Sequence, residues 1–287
     1  LKSLGLALGG GGLKGFAHIG VLQALEDEKI PVAAISGTSA GSIIAALHVC
    51  GISAYMMEEI VLRTRTEEYI DYNYSGAFKW LLSLYIPFVK ANFAGIIKGD
   101  KLEALIYKYT GGKRLVDAAK PIAIIACDID TGKEIIFSNC NFEVDCNNVK
   151  LINEALLSEA VRCSTAIPAT FVPYRLKGMQ LVDGGIRSIV PVTVQKVLGA
   201  DYILAVNLGQ ATYTQSVSGI PQIISRTLDI LTYETSDTAE QITADMIIYP
   251  GVKDVSLFNM DAARKIIHAG KRTMQRQMDY LTRELNQ

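Results

Sequence analysis

Short apolar runs alternate with stretches of helical periodicity along most of this chain. SLGLALG, residues 3–9, is almost wholly apolar and ends in glycine, which predicts a strand buried on both faces. From 13 to 28 the apolar positions Phe16, Ile19, Val21, Leu22 and Leu25 recur at helical spacing, and the stretch ends in acids. VAAISG (32–37) predicts a second buried strand, 39–50 an apolar helix and 53–66 another. PIAIIACDI (121–129) and EIIFS (134–138) predict strands on either side of the turn DTGK. A helix is expected over 151–163, a strand over 179–185, and a helix from Pro191, a residue suited to the first helical position. Further strands are expected at 202–208 and 246–251, with a long helix between them and an amphipathic helix from about Leu257 onward. Strands alternating with helices predict an α/β fold of three α/β/α layers around a mostly parallel sheet. No Pro-, Gly- or Ser-rich linker and no internal repeat interrupts the pattern, so 1–287 is expected to be one domain.

Composition narrows the picture. The chain has 287 residues, 49% of them hydrophobic and 20% charged, enough for a sizeable core and too apolar for disorder. Its net charge of −1 offers no basic field for nucleic acid. Five cysteines, at 50, 127, 140, 146 and 163, with no C-x-x-C, argue against a disulfide framework and for a reducing compartment. With no apolar run of membrane-spanning length and no visible signal peptide, the expected location is cytoplasmic, with peripheral membrane contact left open. The chain begins at Leu1 rather than methionine, so a preceding segment also stays open. No metal or cofactor is expected: Asn139–Asn148 lacks the glycine and the twelfth-position glutamate of an EF-hand. Asp128 and Asp130 read as turn chemistry.

Two glycine-rich turns carry the candidate chemistry. GGGGLKG, Gly9 to Gly15, contains G-x-G-x-x-G between a strand and a helix, the dinucleotide fingerprint. That fingerprint also needs an acid at the end of the second strand, which here ends Ile35-Ser36-Gly37, and no Walker A lysine-serine pair follows the loop. What remains is an anion site of glycine N–H groups at a helix start, for a phosphate or for the oxyanion of acyl transfer. GTSAG, Gly37 to Gly41, fits G-x-S-x-G between a strand and a helix, the context of a nucleophile elbow. The plainer alternative for Ser39 is a helix cap.

A serine nucleophile needs a base. His18 and His48 lie on helices away from the hydroxyl, and His268 reads as solvent-facing in KIIHAGKR. The order Ser39, Asp183, His268 matches an α/β-hydrolase triad, but that fold places several strands before its nucleophile and here only two precede it. Asp183, ending the apolar strand of LVDGGI, is the better candidate. A carboxylate is a weak base in water, and a dry site strengthens it. The competing reading of Asp183-Gly184 is a hairpin turn.

Together these residues resemble the patatin-like phospholipase family. GGGGLKG matches its oxyanion motif, GTSAG its serine motif and DGG its aspartate motif. Softer likenesses cover ACDIDTGKEIIFS, SEAVRCSTAIPATFVPY and PVTVQKVLGADYILAVNL, so the resemblance extends over most of the chain. It implies a Ser–Asp dyad that hydrolyses acyl esters of lipids without metal or nucleotide. Carried over by motif, Ser39 is the nucleophile and Asp183 the base. Gly10, Gly11, Gly12 and Ala40 are expected to form the oxyanion hole, and Gly9, Lys14, Gly15, Gly37, Gly41, Gly184 and Gly185 to support it. The rival functions are a carboxylesterase or thioesterase acting on soluble substrates, and a non-catalytic phosphate-binding protein.

The span 72–99 holds seven of the 22 aromatics, including Trp80, with three lysines and no acid. Aromatic and basic residues together suit a membrane boundary, so this span is expected to cap the acyl pocket and to touch membrane through 78–90. A helical pair packed on the core or in a homodimer interface is the alternative.

Overall fold

The computed structural model describes residues 2–76, 95–143, 147–209, 216–219, 222–224, 226–228, 230–231, 242–252 and 262–287. Residues 78–90, with Trp80 and Phe88, lie outside them, as do Cys146 and the start of the C-terminal helix expected from Leu257.

β1 (Leu4–Leu8), β2 (Val32–Thr38), β10 (Tyr202–Val206) and β11 (Met246–Ile248) pair in parallel in the order β11-β10-β1-β2, and β4 (Ile122–Asp128) continues the parallel run beside β2. β5 (Glu134–Ser138) then pairs antiparallel with β4 across the DTGK turn, and β6 (Val149–Ile152) runs parallel to β5. The sheet is therefore mixed but mostly parallel, as the alternating pattern predicts.

Strand side chains alternate between two apolar layers. Leu4, Leu6 and Leu8 of β1 and Ile122, Ile124 and Ala126 of β4 belong to the larger core. The helices against it include α1 (Phe16–Asp27), α2 (Ala40–Val49), α3 (Ala54–Arg63) and, past a one-turn α4 (Thr66–Tyr69), α5 (Asp100–Thr110), α6 (Leu157–Ser164) and the C-terminal α8 (Ala263–Leu285). Ala7, Ile203 and Ala205 face the other way and pack under Val190 and Val192; Ala34, Ala123 and Ile125 pack under Val194 and Leu198. That second layer is thin among the described residues: an extended segment leading into α7 (Thr193–Val197).

Several boundaries differ from expectation. The helix expected over 151–163 begins at Leu157, because residues 149–152 are held as a strand by their pairing with β5. The helix expected from Pro191 starts at Thr193. Three short strands, β3 (Gly95–Ile97), β7 (Ala169–Phe171) and β8 (Tyr174–Leu176), were not anticipated, nor was α5. β3 pairs with β7 in a small separate sheet. Of the long helix expected between 208 and 246, only scattered helical residues from 222 to 231 and at 242–243 are described.

Candidate active site

Ser39 occupies the cap position of α2, yet its hydroxyl makes no capping bond. Its backbone is at φ 52, ψ −122, a conformation non-glycine residues adopt only when the surroundings enforce it. Three hydrogen bonds hold it there. The Ser39 N–H donates to Ser164 Oγ at 2.9 Å, and the Ser39 carbonyl accepts from Ser42 N at 2.9 Å and Ser42 Oγ at 2.6 Å. The flanking glycine Gly41 permits a close approach: a Cβ there would lie 2.2 Å from the Leu8 carbonyl oxygen. Gly37 and Gly15 are equally crowded, against Gly41 and Ala40. The strand-to-helix turn thus presents the hydroxyl as an elbow does, and the plain cap reading of Ser39 does not hold.

Asp183 reaches the same place through strand register. Along β4, Ile125 is opposite Thr38, the last residue of β2. The next residue, Ala126, is opposite Asp183, the last residue of β9 (Met179–Asp183). Ala126 also pairs with Ile135 of β5, so β9 lies on the side of β4 that β2 vacates. β2 arrives from one direction and β9 from the other, and they end at adjacent positions on one strand. No hairpin follows Asp183: Gly184–Ile186 form a turn of 3-10 helix, and Asp183 Oδ1 accepts from Gly185 N at 2.8 Å. Gly184 passes so close to β4 that a Cβ would lie 2.2 Å from the Ile125 oxygen. Ser39 and Asp183 are 5% and 7% exposed, so charge developing there is poorly screened by water.

The segment after Asp183 ties the pieces together. Thr38 Oγ1 donates to the Ser188 carbonyl at 2.8 Å, Ser36 Oγ to Pro191 O at 2.8 Å, and Gly10 N to Ile189 O at 2.9 Å. The last bond corrects one expectation: the Gly10 N–H is committed to Ile189 and is not an oxyanion donor. Gly11 and Gly12 lead into a 3-10 turn spanning Gly12–Gly15, and Ala40 opens α2, where backbone N–H groups lack intrahelical acceptors. Gly9 N is bonded to Val206 O, and Lys14 Nζ reaches the Leu208 carbonyl at 3.5 Å, anchoring the loop to the end of β10.

Among the described residues none of the histidines is hydrogen-bonded to Ser39. His18 is fully buried, and its Nε2 donates to the Gly9 carbonyl at 2.7 Å, fixing the glycine loop from beneath. Burial pushes its pKa down to about 4, so the ring is neutral near pH 7. Burial does the same to His48, also to about 4. His268 is exposed, as expected. Asp128 is a turn residue: its Oδ2 accepts from Thr131 Oγ1 at 2.6 Å. Among the described residues no cluster of histidine, cysteine or acid could hold a metal.

A cavity of about 160 Å³ adjoins Ser39. Gly12, Ser39 and Ala40 form one part of its wall, and no charged side chain among the described residues lines it. An apolar cavity of this size stays dry and accepts apolar ligands. Beside it, the ends of the 72–99 span are drawn together: Tyr72 bridges Ile97, Asn73 N donates to Ile96 O at 2.7 Å, and Lys98 N to Asp71 O at 2.8 Å.

The stretch SEAVRCSTAIPATFVPY entered the sequence analysis only as a likeness, and the part its turn plays at the site was not foreseen. Besides Ser164 on the Ser39 amide, the Ala166 carbonyl accepts from Asp183 N at 2.9 Å, so one turn grips the backbone of both residues. Arg162, one turn of α6 earlier and 2% exposed, donates through one guanidinium nitrogen to the carbonyls of Lys98 and Val172 and stacks within 5.6 Å of the rings of Phe171 and Tyr174.

An uncharacterized NTE family protein of Mycobacterium bovis is 27% identical over 231 residues, which are 80% of this chain and 56% of that protein. Lysophospholipase NTE1 of Coccidioides immitis is 29% identical over 240 residues, 78% of this chain and 13% of that protein. The chain thus spans about half the length of the mycobacterial relative and a small part of the fungal one. Among solved structures, VipD from Legionella pneumophila is 14% identical with a TM-score of 0.48, covering 97% of this chain and 67% of that one. Human GIVD cytosolic phospholipase A2, in complex with methyl gamma-linolenyl fluorophosphonate, is 13% identical with a TM-score of 0.47, covering 99% and 58%. Among the described residues no helix is long and apolar enough to cross a membrane. The family model described as Patatin-like phospholipase matches residues 6–194, a stretch that holds the glycine loop, the serine elbow and the aspartate strand, and the chain belongs to that family.

Proposed function

We propose that this protein is a serine hydrolase that cleaves acyl ester bonds of lipids, of phospholipase A or lysophospholipase type. The observation that carries the proposal is that β2, which leads into Ser39, and β9, which ends in Asp183, end at adjacent positions on β4, beside an apolar cavity.

Asp183 takes the proton of the Ser39 hydroxyl as Oγ attacks the ester carbonyl carbon. The carbonyl oxygen becomes an oxyanion, received by the N–H groups of Gly11, Gly12 and Ala40. The positive end of α2, which starts at Ala40, favours the same charge. The ester C–O bond breaks, and the departing alcohol or lyso-lipid takes the proton from Asp183. Water then attacks the acyl-Ser39 carbonyl, giving its proton to Asp183. Collapse of the second oxyanion releases the fatty acid and returns the proton to Ser39.

The span 72–99 is proposed to cap the acyl cavity, and 78–90 to meet the membrane. Its ends meet next to Ile70 and Ile97, which line the cavity.

A fluorophosphonate probe tests the dyad. Wild type should label, Ser39→Ala should not, and Asp183→Asn should label far more slowly. A folded wild type that stays unlabelled in the presence of liposomes would favour a phosphate-binding protein. Labelling accompanied by hydrolysis of short soluble esters alone would favour a carboxylesterase or thioesterase.

A further inference from the structure

We infer that the inner end of the cavity is a length gauge for one linear acyl chain, set by Leu47 of α2 with Ile106 and Tyr109 of α5. This rests on the reading of Ser39 as the acyl acceptor.

Ala40, Ile43, Ile44 and Leu47 all line the cavity, and their spacing puts them on one face of α2. The cavity therefore follows that helix away from Ser39, and from Ala40 to Leu47 the axis rises about 10 Å. α5 supplies a second wall with Ile106 and Tyr109. The C-terminal ends of the two helices meet, because Cys50 Sγ donates to the Thr110 carbonyl at 3.9 Å. Ile106 and Tyr109 thus stand at the Leu47 end, remote from the nucleophile. Packed side chains close that end: Leu47 is 4% exposed, Ile106 3% and Thr110 2%.

A chain whose carbonyl carbon sits at Ser39 must run along α2, with its methyl end toward Leu47. Walls without charge accept methylenes and reject a headgroup, which stays on the far side of the ester bond. Chain length is then limited by side-chain volume at three positions, none of which touches the reacting atoms. Each methylene that no longer fits costs about fourfold in affinity or turnover.

The test compares wild type, Leu47→Trp and Ile106→Ala. One arm measures turnover of p-nitrophenyl esters from butyrate to palmitate, read as the ratio of long to short within each protein. The other measures displacement of a fluorescent fatty acid by saturated fatty acids of six to sixteen carbons, each substitution being made in a Ser39→Ala background. Leu47→Trp should move the optimum to shorter chains and lower the long-to-short ratio by about 60-fold for three excluded methylenes. Ile106→Ala should move it to longer chains, and it carries the test alone if the tryptophan variant does not fold. Length profiles that coincide in all folded proteins, or a loss uniform over all lengths, would overturn the gauge. Displacement that shifts with the substitutions while no ester is turned over would uphold the gauge and remove the hydrolase reading instead.

Discussion

The amide of Ser39 donates to the hydroxyl oxygen of Ser164, 125 residues away, at 2.9 Å. The Ser164 hydroxyl makes no other hydrogen bond among the described residues, and the side chain is completely buried. Ser164→Ala leaves the Ser39 N–H buried without an acceptor, a penalty of about 1–3 kcal/mol placed on the elbow itself. The expected result is a fall of about tenfold or more in the fluorophosphonate labelling rate at a modest cost in melting temperature. A loss of stability with undiminished labelling of the folded fraction would show that Ser164 only fills space.

Two glycines of one helix-turn region should respond differently to alanine. Gly41→Ala drives a Cβ to 2.2 Å from the Leu8 carbonyl oxygen, and neither backbone can yield without moving β1 or α2. This variant should be poorly folded and unlabelled by the probe. Gly51, just past α2, has φ +85 and open space around it. Gly51→Ala should cost about 1 kcal/mol from backbone strain alone and leave labelling intact. Chemical denaturation of the two variants side by side checks the contrast.

Arg162 joins the end of β3 to the end of β7 through the carbonyls of Lys98 and Val172, with the rings of Phe171 and Tyr174 beside its guanidinium. A lysine has neither the planar fork nor the stacking surface. Arg162→Lys should lower unfolding stability by about 3 kcal/mol, read from the urea midpoint at unchanged slope. A midpoint equal to wild type would mean that the two strands are held by other contacts.

Acid should weaken the fold before it reaches the carboxylates. His18 and His48 are held neutral, with pKa values pushed from 6.5 down to about 4 by burial. Between those values the unfolded chain binds protons that the folded one refuses. Stability therefore rises with pH across that window, is complete above 6.5 and is lost progressively as pH falls toward 4. Each histidine contributes a slope of up to about 1.4 kcal/mol per pH unit. His48→Leu should flatten the stability profile between pH 4 and 6.5, whereas an unchanged slope would place the proton uptake elsewhere.

Much of this was legible in the sequence because the decisive signals are local. A buried strand ending in glycine, then a serine elbow, follows from runs of five to seven residues, and β1, β2, β4 and β5 lie where the apolar pattern puts them. α5 was also legible: Leu102, Leu105, Ile106 and Tyr109 repeat at helical spacing between Gly99 and Gly111, both with positive φ. Three-residue strands such as β3 and β7 are too short to show a period. The grip of Ser164 and Ala166 on Ser39 and Asp183, and the bond of the Gly10 N–H to Ile189, join residues more than fifteen positions apart and up to 179. No window along the chain contains both partners.

The meeting of β2 and β9 on one strand makes the spacing of the site discrete. Sliding β9 by one residue along β4 would move its end by about 3.3 Å and turn the terminal carboxylate to the opposite face of the sheet. Small shifts of register therefore do not exist as gradations. Substitutions and insertions in the long stretch between Thr38 and Met179 can reshape the entrance and the apolar cavity, while the separation of Ser39 and Asp183 stays at its one permitted value or is lost outright.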